Sequence, residues 1–341
     1  MAASNVVTVT GATTDLLTAA RASDHEAFRR LLDPHLATLH VHCYRMLGSY
    51  HDAEEAMQEV LLRAWRSLDT YQGRAPLRHW LYRIATTTCL QVIRARARQP
   101  STVAEIDYLE PYPDRLLDAL PVESDPAASV ERRESVSLAF VAALQLLPAT
   151  QRAVLVLREV LDWRAGEVAG LLDCTVAAVN SALQRARATV RAAMPGGSGR
   201  RRLDADDRRV LARFVDAWQR RDIDGLAALL RADVELRMPP EAMEFHGRDA
   251  VIGFFATVPA GGRLELIRLV PTRANGRPAL AAFECGPDGD PRPYGVMVLE
   301  LAGAGDACQV AGITGFPSRE LAGGGRGAPA AAFEGLDGAG S

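Results

Sequence analysis

Apolar positions in the first third of the chain recur every three or four residues. Phe28, Leu31, Leu32, Leu36 and Leu39 form one stripe, and Ala53, Met57, Val60, Leu61, Ala64, Trp65 and Leu68 form a second. This is the spacing of amphipathic helices. Asp52, Glu54 and Glu55 open the second stripe, where acids suit the positive end of a helix dipole. Tyr71-Gln72-Gly73 interrupts the pattern, and Pro76 then occupies the first turn of a third helix carrying Leu77, Trp80, Leu81, Ile84 and Thr88. Three packed helices follow from this order.

The helical period returns after residue 130. Pro148 opens a helix with Val154, Leu157 and Leu161 inward, a short helix lies around Glu167 to Leu172, and Asp173-Cys174 forms a turn. Thr175 is the N-cap of the next helix, whose Val176, Val179, Leu183, Ala186 and Val190 point inward. That phase turns Ala177, Ala178, Asn180, Ser181, Gln184, Arg185 and Arg187 outward. Small residues permit close approach to a groove, amides and guanidinium groups read base edges, and arginine holds phosphate, so the unit has the look of a helix-turn-helix.

From residue 204 the pattern changes again. Val210, Leu211, Phe214, Val215 and Trp218 mark a helix, and Asp224 to Leu230 a second. A strand near 234–238, a helix over 249–257 and strands near 263–271, 277–285, 294–301 and 307–314 complete an α+β order, expected as helices on one curved antiparallel sheet. The chain thus divides into bodies at 20–98, 131–194 and 204–316. Between the first two, 99–130 carries seven acids, one arginine and five prolines, read as an extended acidic linker that builds no core. Pro195 to Gly199 reads as a hinge, and 317–341 as a loose Gly- and Ala-rich tail.

Composition agrees with several folded domains: 341 residues, 48% hydrophobic and 24% charged, which excludes collagen-like, coiled-coil and wholly disordered chains. Met1 to Thr14 lacks a basic leader, and later apolar runs are broken too early to span a bilayer, so no membrane association is expected. Five cysteines without a CxxC pair point to a reducing, cytoplasmic setting. A net charge of -3 gives no global attraction to nucleic acid. Charge is nevertheless segregated: Arg74 to Pro100 and Cys174 to Arg202 each hold six arginines and no acid. Arg94, Arg96 and Arg98 read either as a solvated helix end or as a nucleic-acid contact, and Arg74 and Arg83 lie in the same basic zone. Trp80 and Tyr82 can stack on unpaired bases, whereas Trp65 lies on the apolar stripe. Glu54, Glu55, Gln58 and Glu59 form either a solvated face or a docking surface; the spacing does not decide.

Two stretches together resemble the extracytoplasmic-function (ECF) group of the sigma-70 family. The first is Asp52-Ala-Glu-Glu-Ala-Met-Gln-Glu-Val through Trp65 with Leu77-Arg-His-Trp-Leu-Tyr-Arg-Ile-Ala85. The second is Leu147-Pro-Ala-Thr-Gln-Arg-Ala-Val-Leu-Val-Leu-Arg-Glu-Val160 with Glu167-Val-Ala and Val179-Asn-Ser-Ala-Leu-Gln-Arg-Ala-Arg187. The resemblance implies a sigma region 2 helical bundle and a region 4 helix-turn-helix, and a factor that directs core RNA polymerase to promoters. It implies that Glu55, Gln58, Glu59 and Leu62 meet the beta-prime clamp, and that an apolar part of the second body meets the beta flap. Tyr71 to Arg74 and Trp80 to Arg98 would capture the minus-10 element. Thr175, Ala178, Asn180, Ser181, Gln184, Arg185 and Arg187 would read the minus-35 element. Where many members carry Asn after the Leu-Tyr-Arg-Ile-Ala segment, this chain has Thr86-Thr87-Thr88, which bears on base preference.

The third body resembles the SnoaL-like cone through Phe214-Val-Asp-Ala-Trp-Gln-Arg-Arg-Asp222 and Phe245-His-Gly-Arg-Asp-Ala250. Trp218, Asp233, His246, Glu284 and Tyr294 are its candidate pocket residues. No pair of acids is spaced for catalysis, so a small-molecule sensing pocket or an inert packing domain is expected rather than an enzyme, with no cofactor or metal. Two rival readings are an operator-binding regulator with a ligand-sensing domain and a cyclase or isomerase with an added DNA-binding module. The Asp52 to Arg98 block separates the promoter-directing reading from the operator-binding regulator, since an operator-binding protein does not need it.

Overall fold

The computed structural model describes residues 11–73, 75–98, 109–118, 120, 135–194, 205–239, 243–285 and 291–317. Arg74, the 195–199 hinge, most of the 99–130 linker and the tail beyond Pro317 lie outside the described residues.

Four helices build the N-terminal body: α1 (Gly11–Arg21), α2 (His25–Leu47), α3 (Tyr50–Ser67) and α4 (Leu77–Arg96). The periodicity did not mark α1. Asp24 caps α2 by accepting from the Glu26 and Ala27 amides, and Gly48 ends it at φ 77°, a left-handed conformation that suits glycine. Ser49 caps α3 by accepting from the Asp52 amide. Leu31, Leu39, Tyr44, Val60, Leu81 and Ala85 are buried between these helices.

The segment expected to be an extended linker is in part a packed element. Leu109, Tyr112, Leu117 and Leu120 are buried, and Asp114–Asp118 forms a short helix, α5. Glu110 and Asp114 are buried with partners. The Glu110 carboxylate accepts from the Ser49 hydroxyl at 2.6 Å and the His51 amide at 3.0 Å, at the N-terminus of α3, where a negative charge is stabilised by the helix dipole.

The second body comprises α6 (Leu138–Gln145), α7 (Ala149–Leu155) running into a π-helical turn at Val156–Val160, α8 (Ala165–Leu172) and α9 (Val176–Ala193). Asp173 at φ 51° makes the turn between α8 and α9. This body packs directly on the first. The ring of His79 stacks on Trp163 with centroids 4.4 Å apart, and the Arg152 guanidinium donates to the Met46 carbonyl at 2.6 Å.

The third body contains α10 (Ala205–Gln219), α11 (Ile223–Leu229), α12 (Arg248–Thr257) and six strands. The strands are β1 (Leu230–Arg237), β2 (Glu244–His246), β3 (Ile267–Ala274), β4 (Arg277–Cys285), β5 (Pro291–Ala302) and β6 (Gln309–Pro317). Their order is β2-β1-β6-β5-β4-β3. The expectation of a purely antiparallel sheet fails at one junction: β6 lies between β5 and β1 and runs parallel to β1. Alternation along a single strand carries no information on which neighbour it meets, so this pairing was not legible. The three-residue β2 was likewise too short to register.

The sheet is buried on both faces around β4. Leu280 and Ala282 of β4 face a core with Phe214, Trp218, Phe255, Leu299 and Ile313. The alternate residues Ala279, Ala281 and Phe283 join Val296, Val298 and Phe316 in the same cluster as the helical bodies.

A two-residue hairpin between β3 and β4 ties these parts together. Asn275 and Gly276 have φ of 53° and 75°, the positive pair that a tight type I′ turn requires. Asn275 is only 2% exposed. Its side-chain oxygen accepts from the Tyr112 amide at 2.7 Å, and its amide nitrogen donates to the Val136 carbonyl at 2.6 Å and the Tyr44 hydroxyl at 2.9 Å. The Asn275 backbone N–H donates to the Tyr112 carbonyl at 3.0 Å, and Asp114 accepts from the Gly276 amide at 2.7 Å and pairs with Arg273 at 3.1 Å. One turn thus meets α2, the 109–118 segment and the chain entering α6.

Candidate nucleic-acid interface

Helix α9 is set by its buried face. Val179, Ala182, Leu183 and Ala186 lock into the second body, while Ala178, Asn180, Ser181, Gln184, Arg185 and Arg187 are exposed. Thr175 uses its hydroxyl to accept from the Ala178 amide at 3.1 Å, so its part is to fix the helix start. Val176, expected inward, is 46% exposed at the first turn, because the register that buries Val179 and Leu183 rotates it out. Arg187 is tied to Glu159 at 2.6 Å, whereas Arg185 is exposed on the same face of the helix.

A second basic surface lies between α3 and α4. Arg63, Arg66 and Ser67 from α3, with Trp80, Arg83, Ile84 and Thr87 from α4, line an open cleft of about 450 Å³. Three guanidinium groups and an indole surround it, with no acid among these lining residues. Arg63 and Arg66 escaped the sequence reading because they stand beside an apolar stripe in an otherwise acidic helix. Of the three threonines, Thr87 lines the cleft; Thr86 is buried against the His42 ring, 2.9 Å away, and Thr88 is buried too. Arg94 and Arg98 are exposed at the end of α4, but Arg96 is paired with buried Asp52 and is thereby removed from the set of unengaged basic groups. Tyr82, expected to be exposed, is 8% exposed beside Leu81 and Ala85, because that phase of α4 faces α2. Trp65 stacks on His25 at 4.4 Å and meets Phe28 edge-on, as its place on the stripe implied.

On the outer face of α3, Glu55, Gln58 and Leu62 are exposed at helical spacing, and Leu62 is 50% exposed. Glu59 joins this stripe and pairs with Arg63 at 2.5 Å.

The five candidate pocket residues of the third body do not all converge: Glu284 lies near enough to Tyr294 to raise its pKa, and Tyr294 packs against the core that holds Trp218, whereas Asp233 and His246 face outward. Trp218 is part of a packed aromatic interior with Phe214 and Phe255, and its N–H donates to the Ile267 carbonyl at 3.2 Å. Alternation along β1 buries Val234 and Leu236 and turns Asp233 and Glu235 outward. Asp233 pairs with Arg231 at 2.7 Å, which holds its carboxyl below the usual carboxylate range. His246 is opposite Glu235 in the β1–β2 register, exposed, and 3.7 Å from that carboxylate. Glu284 is half-buried near the end of β4. The Tyr294 hydroxyl accepts from the Ala260 amide at 3.1 Å, and burial raises its pKa.

Comparison with known families fits this geometry. The model for sigma-70 region 2 matches residues 31–99, that for sigma-70 region 4 matches 137–190, and that for the SnoaL-like domain matches 211–303. The ECF RNA polymerase sigma factor SigG of Mycobacterium tuberculosis is 40% identical over 293 residues, which cover 79% of this chain and 76% of SigG. The chain belongs to the ECF sigma factors. A second member, SigW of Bacillus subtilis, is 29% identical over 173 residues, 49% of this chain and 89% of SigW. Among solved structures, the sigma factor SigJ of M. tuberculosis shares the fold with a TM-score of 0.52 at 23% identity, covering 89% of this chain and 99% of SigJ.

ECF sigma factors are non-enzymatic subunits that bind core RNA polymerase and promoter DNA. In this one, the region 2 match takes in both the α3–α4 cleft and the exposed stripe of α3, and the region 4 match takes in α8, the turn and most of α9. Among the described residues, no helix is long and apolar enough to cross a membrane.

Proposed function

We propose that this sigma factor captures the minus-10 element in the α3–α4 cleft and reads the minus-35 element with the exposed face of α9. The observation that carries the reading is the cleft itself: an indole flanked by Arg66 and Arg83, with Arg63 already engaged by Glu59, offers a stacking surface and phosphate attraction to an unpaired strand. Extruding a base from the duplex costs a few kcal/mol, which stacking and charge offset. Glu55, Gln58, Glu59 and Leu62 dock on the beta-prime clamp, with Leu62 as the apolar anchor. Leu146, exposed between α6 and α7, is the apolar patch offered to the beta flap.

The SnoaL-like domain tunes this activity by holding regions 2 and 4 together. Elements named for positions 10 and 35 lie roughly 25 base pairs apart, or ~85 Å at about 3.4 Å per pair. A chain in which His79 stacks on Trp163 cannot span that distance, so region 4 must separate from region 2 before both elements are engaged. The Asn275 junction and the shared apolar cluster oppose that separation, and a ligand of the third domain acts only insofar as it binds the two arrangements differently.

Transcription assays with the full chain, core polymerase and a cognate promoter test both parts. Two separated footprints that require polymerase are expected, the downstream one lost in Trp80→Ala. Protection of a single patch by the chain without polymerase would instead favour an operator-binding regulator.

A further inference from the structure

We propose that Arg21, at the end of the unforeseen helix α1, is a positioning residue for promoter opening: it anchors the loop that leads from α3 into the α3–α4 cleft. The proposal rests on the reading of that cleft as the site of strand capture.

The argument begins with how firmly Arg21 is held. Ala20 is buried, and Leu16 and Leu17 pack with it against the region 2 core. The helix closes through Ser23 and Asp24 amides donating to the Ala20 and Ala19 carbonyls at 3.0 and 3.1 Å. Ser23 then adopts φ 67°, and Asp24 caps α2. Two helices therefore fix the backbone from which the Arg21 side chain extends.

That side chain crosses fifty residues of sequence to donate to the Tyr71 carbonyl. Tyr71 organises the loop with its remaining polar groups: its amide donates to the Leu68 carbonyl at 3.2 Å, and its hydroxyl donates to the Ala75 carbonyl at 2.8 Å. Its ring lies 5.5 Å from Trp80 in the cleft. Two of these three hydrogen bonds are internal to the loop; the bond from Arg21 attaches the loop to the rest of the domain. Gln72 and Gly73 beyond it are exposed, and Gly73, at φ +69°, has open space where a side chain would sit. The tip is thus free to meet DNA while its base is fixed. A loop ordered in advance loses less conformational entropy on binding, which strengthens capture without adding a contact.

The test compares full-length wild type, Arg21→Met, Arg21→Lys and Trp80→Ala, each with core polymerase, for affinity toward a single-stranded minus-10 oligonucleotide and for the rate of opening of a duplex promoter. Arg21→Met is expected to lower both about tenfold, with thermal stability and polymerase affinity retained. Arg21→Lys, which can still donate to the carbonyl, should restore most of the loss. The slope of log affinity against log salt should be unchanged in Arg21→Met, because a positioning residue neutralises no phosphate; a direct phosphate contact would reduce it by about 0.7, and that result would overturn the proposal. Hydrogen exchange at the Tyr71 amide, which donates to the Leu68 carbonyl, should accelerate in Arg21→Met. Unchanged exchange, or unchanged capture where Trp80→Ala is impaired, would also overturn it. If Trp80→Ala captures the strand normally, the reading of the cleft itself fails.

Discussion

Replacing Asn275 by alanine removes the densest polar junction between the SnoaL-like domain and the sigma regions. The Tyr112 amide loses its acceptor, the Val136 carbonyl loses one donor, and the Tyr44 hydroxyl keeps only its own donation to the Glu110 carbonyl at 2.9 Å. A buried polar group left unsatisfied costs about 1–3 kcal/mol. Alanine at φ 53° also costs about 1–2 kcal/mol that asparagine largely avoids, but that strain is local to the β3–β4 turn and falls on the closed and separated forms alike. Water entering the vacated space recovers part of the lost hydrogen bonding, so a net effect of about 3 kcal/mol on the closed arrangement is a reasonable magnitude. Because every lost bond joins distant segments, the change acts on closure more than on the folding of any one body. At 1.4 kcal/mol per factor of ten, closure weakens roughly a hundredfold. Energy transfer between probes on α4 and α9 of the full chain reads the separation of regions 2 and 4, and promoter-dependent transcription reads its consequence. Greater separation with greater output is expected. An unchanged distance, or a larger distance with lower output, would refute the view that this turn restrains an open, active form.

Three further outcomes follow from the same geometry. Arg185→Ala should weaken upstream-element binding by about 1–3 kcal/mol if the guanidinium reads a base, whereas Arg187→Ala should cost less because Arg187 is already engaged by Glu159; competition binding with point-substituted minus-35 duplexes compares them. Thr87→Asn places an amide with both donor and acceptor in the cleft and should shift base preference at the minus-10 element, measured by transcription from a set of promoters differing at single positions. Burial lowers the His42 pKa to about 3 and the His40 pKa to about 4. The unfolded chain therefore takes up more protons below pH 6.5, and stability present above that pH is lost progressively as pH falls towards the folded values, at up to about 1.4 kcal/mol per pH unit for each histidine. Urea unfolding between pH 7.5 and 5 should show the decline, and His42→Gln should flatten it.

Much of this architecture was legible locally. Helical spacing located α2, α3, α4 and α9, and the sequence around Thr175 marked the start of the recognition helix, because those signals arise within a turn or two of chain. What escaped was set by distant partners. The acids and prolines of 109–118 looked solvent-bound, yet Glu110 caps a helix about sixty residues away and Asp114 meets a hairpin turn more than a hundred and sixty residues away. Arg96 belonged to a basic run but is matched by Asp52, and Tyr82 turned inward because α2 covers that face. In the third domain, Asp233 and His246 had suitable chemistry for a pocket, but strand alternation and the β1–β2 register carried both outward. Residue type alone could not reveal that.

The dry outer face of the β4–β5–β6 sheet has a thermal consequence. If separating the regions wets Phe283, Val296, Val298 or Phe316, the transition carries a positive heat-capacity change, since hydrating apolar surface always does. The balance between compact and extended forms would then curve with temperature rather than change in simple proportion to it. Promoter output from this factor would accordingly register warmth and cold through the sheet, without any dedicated sensor.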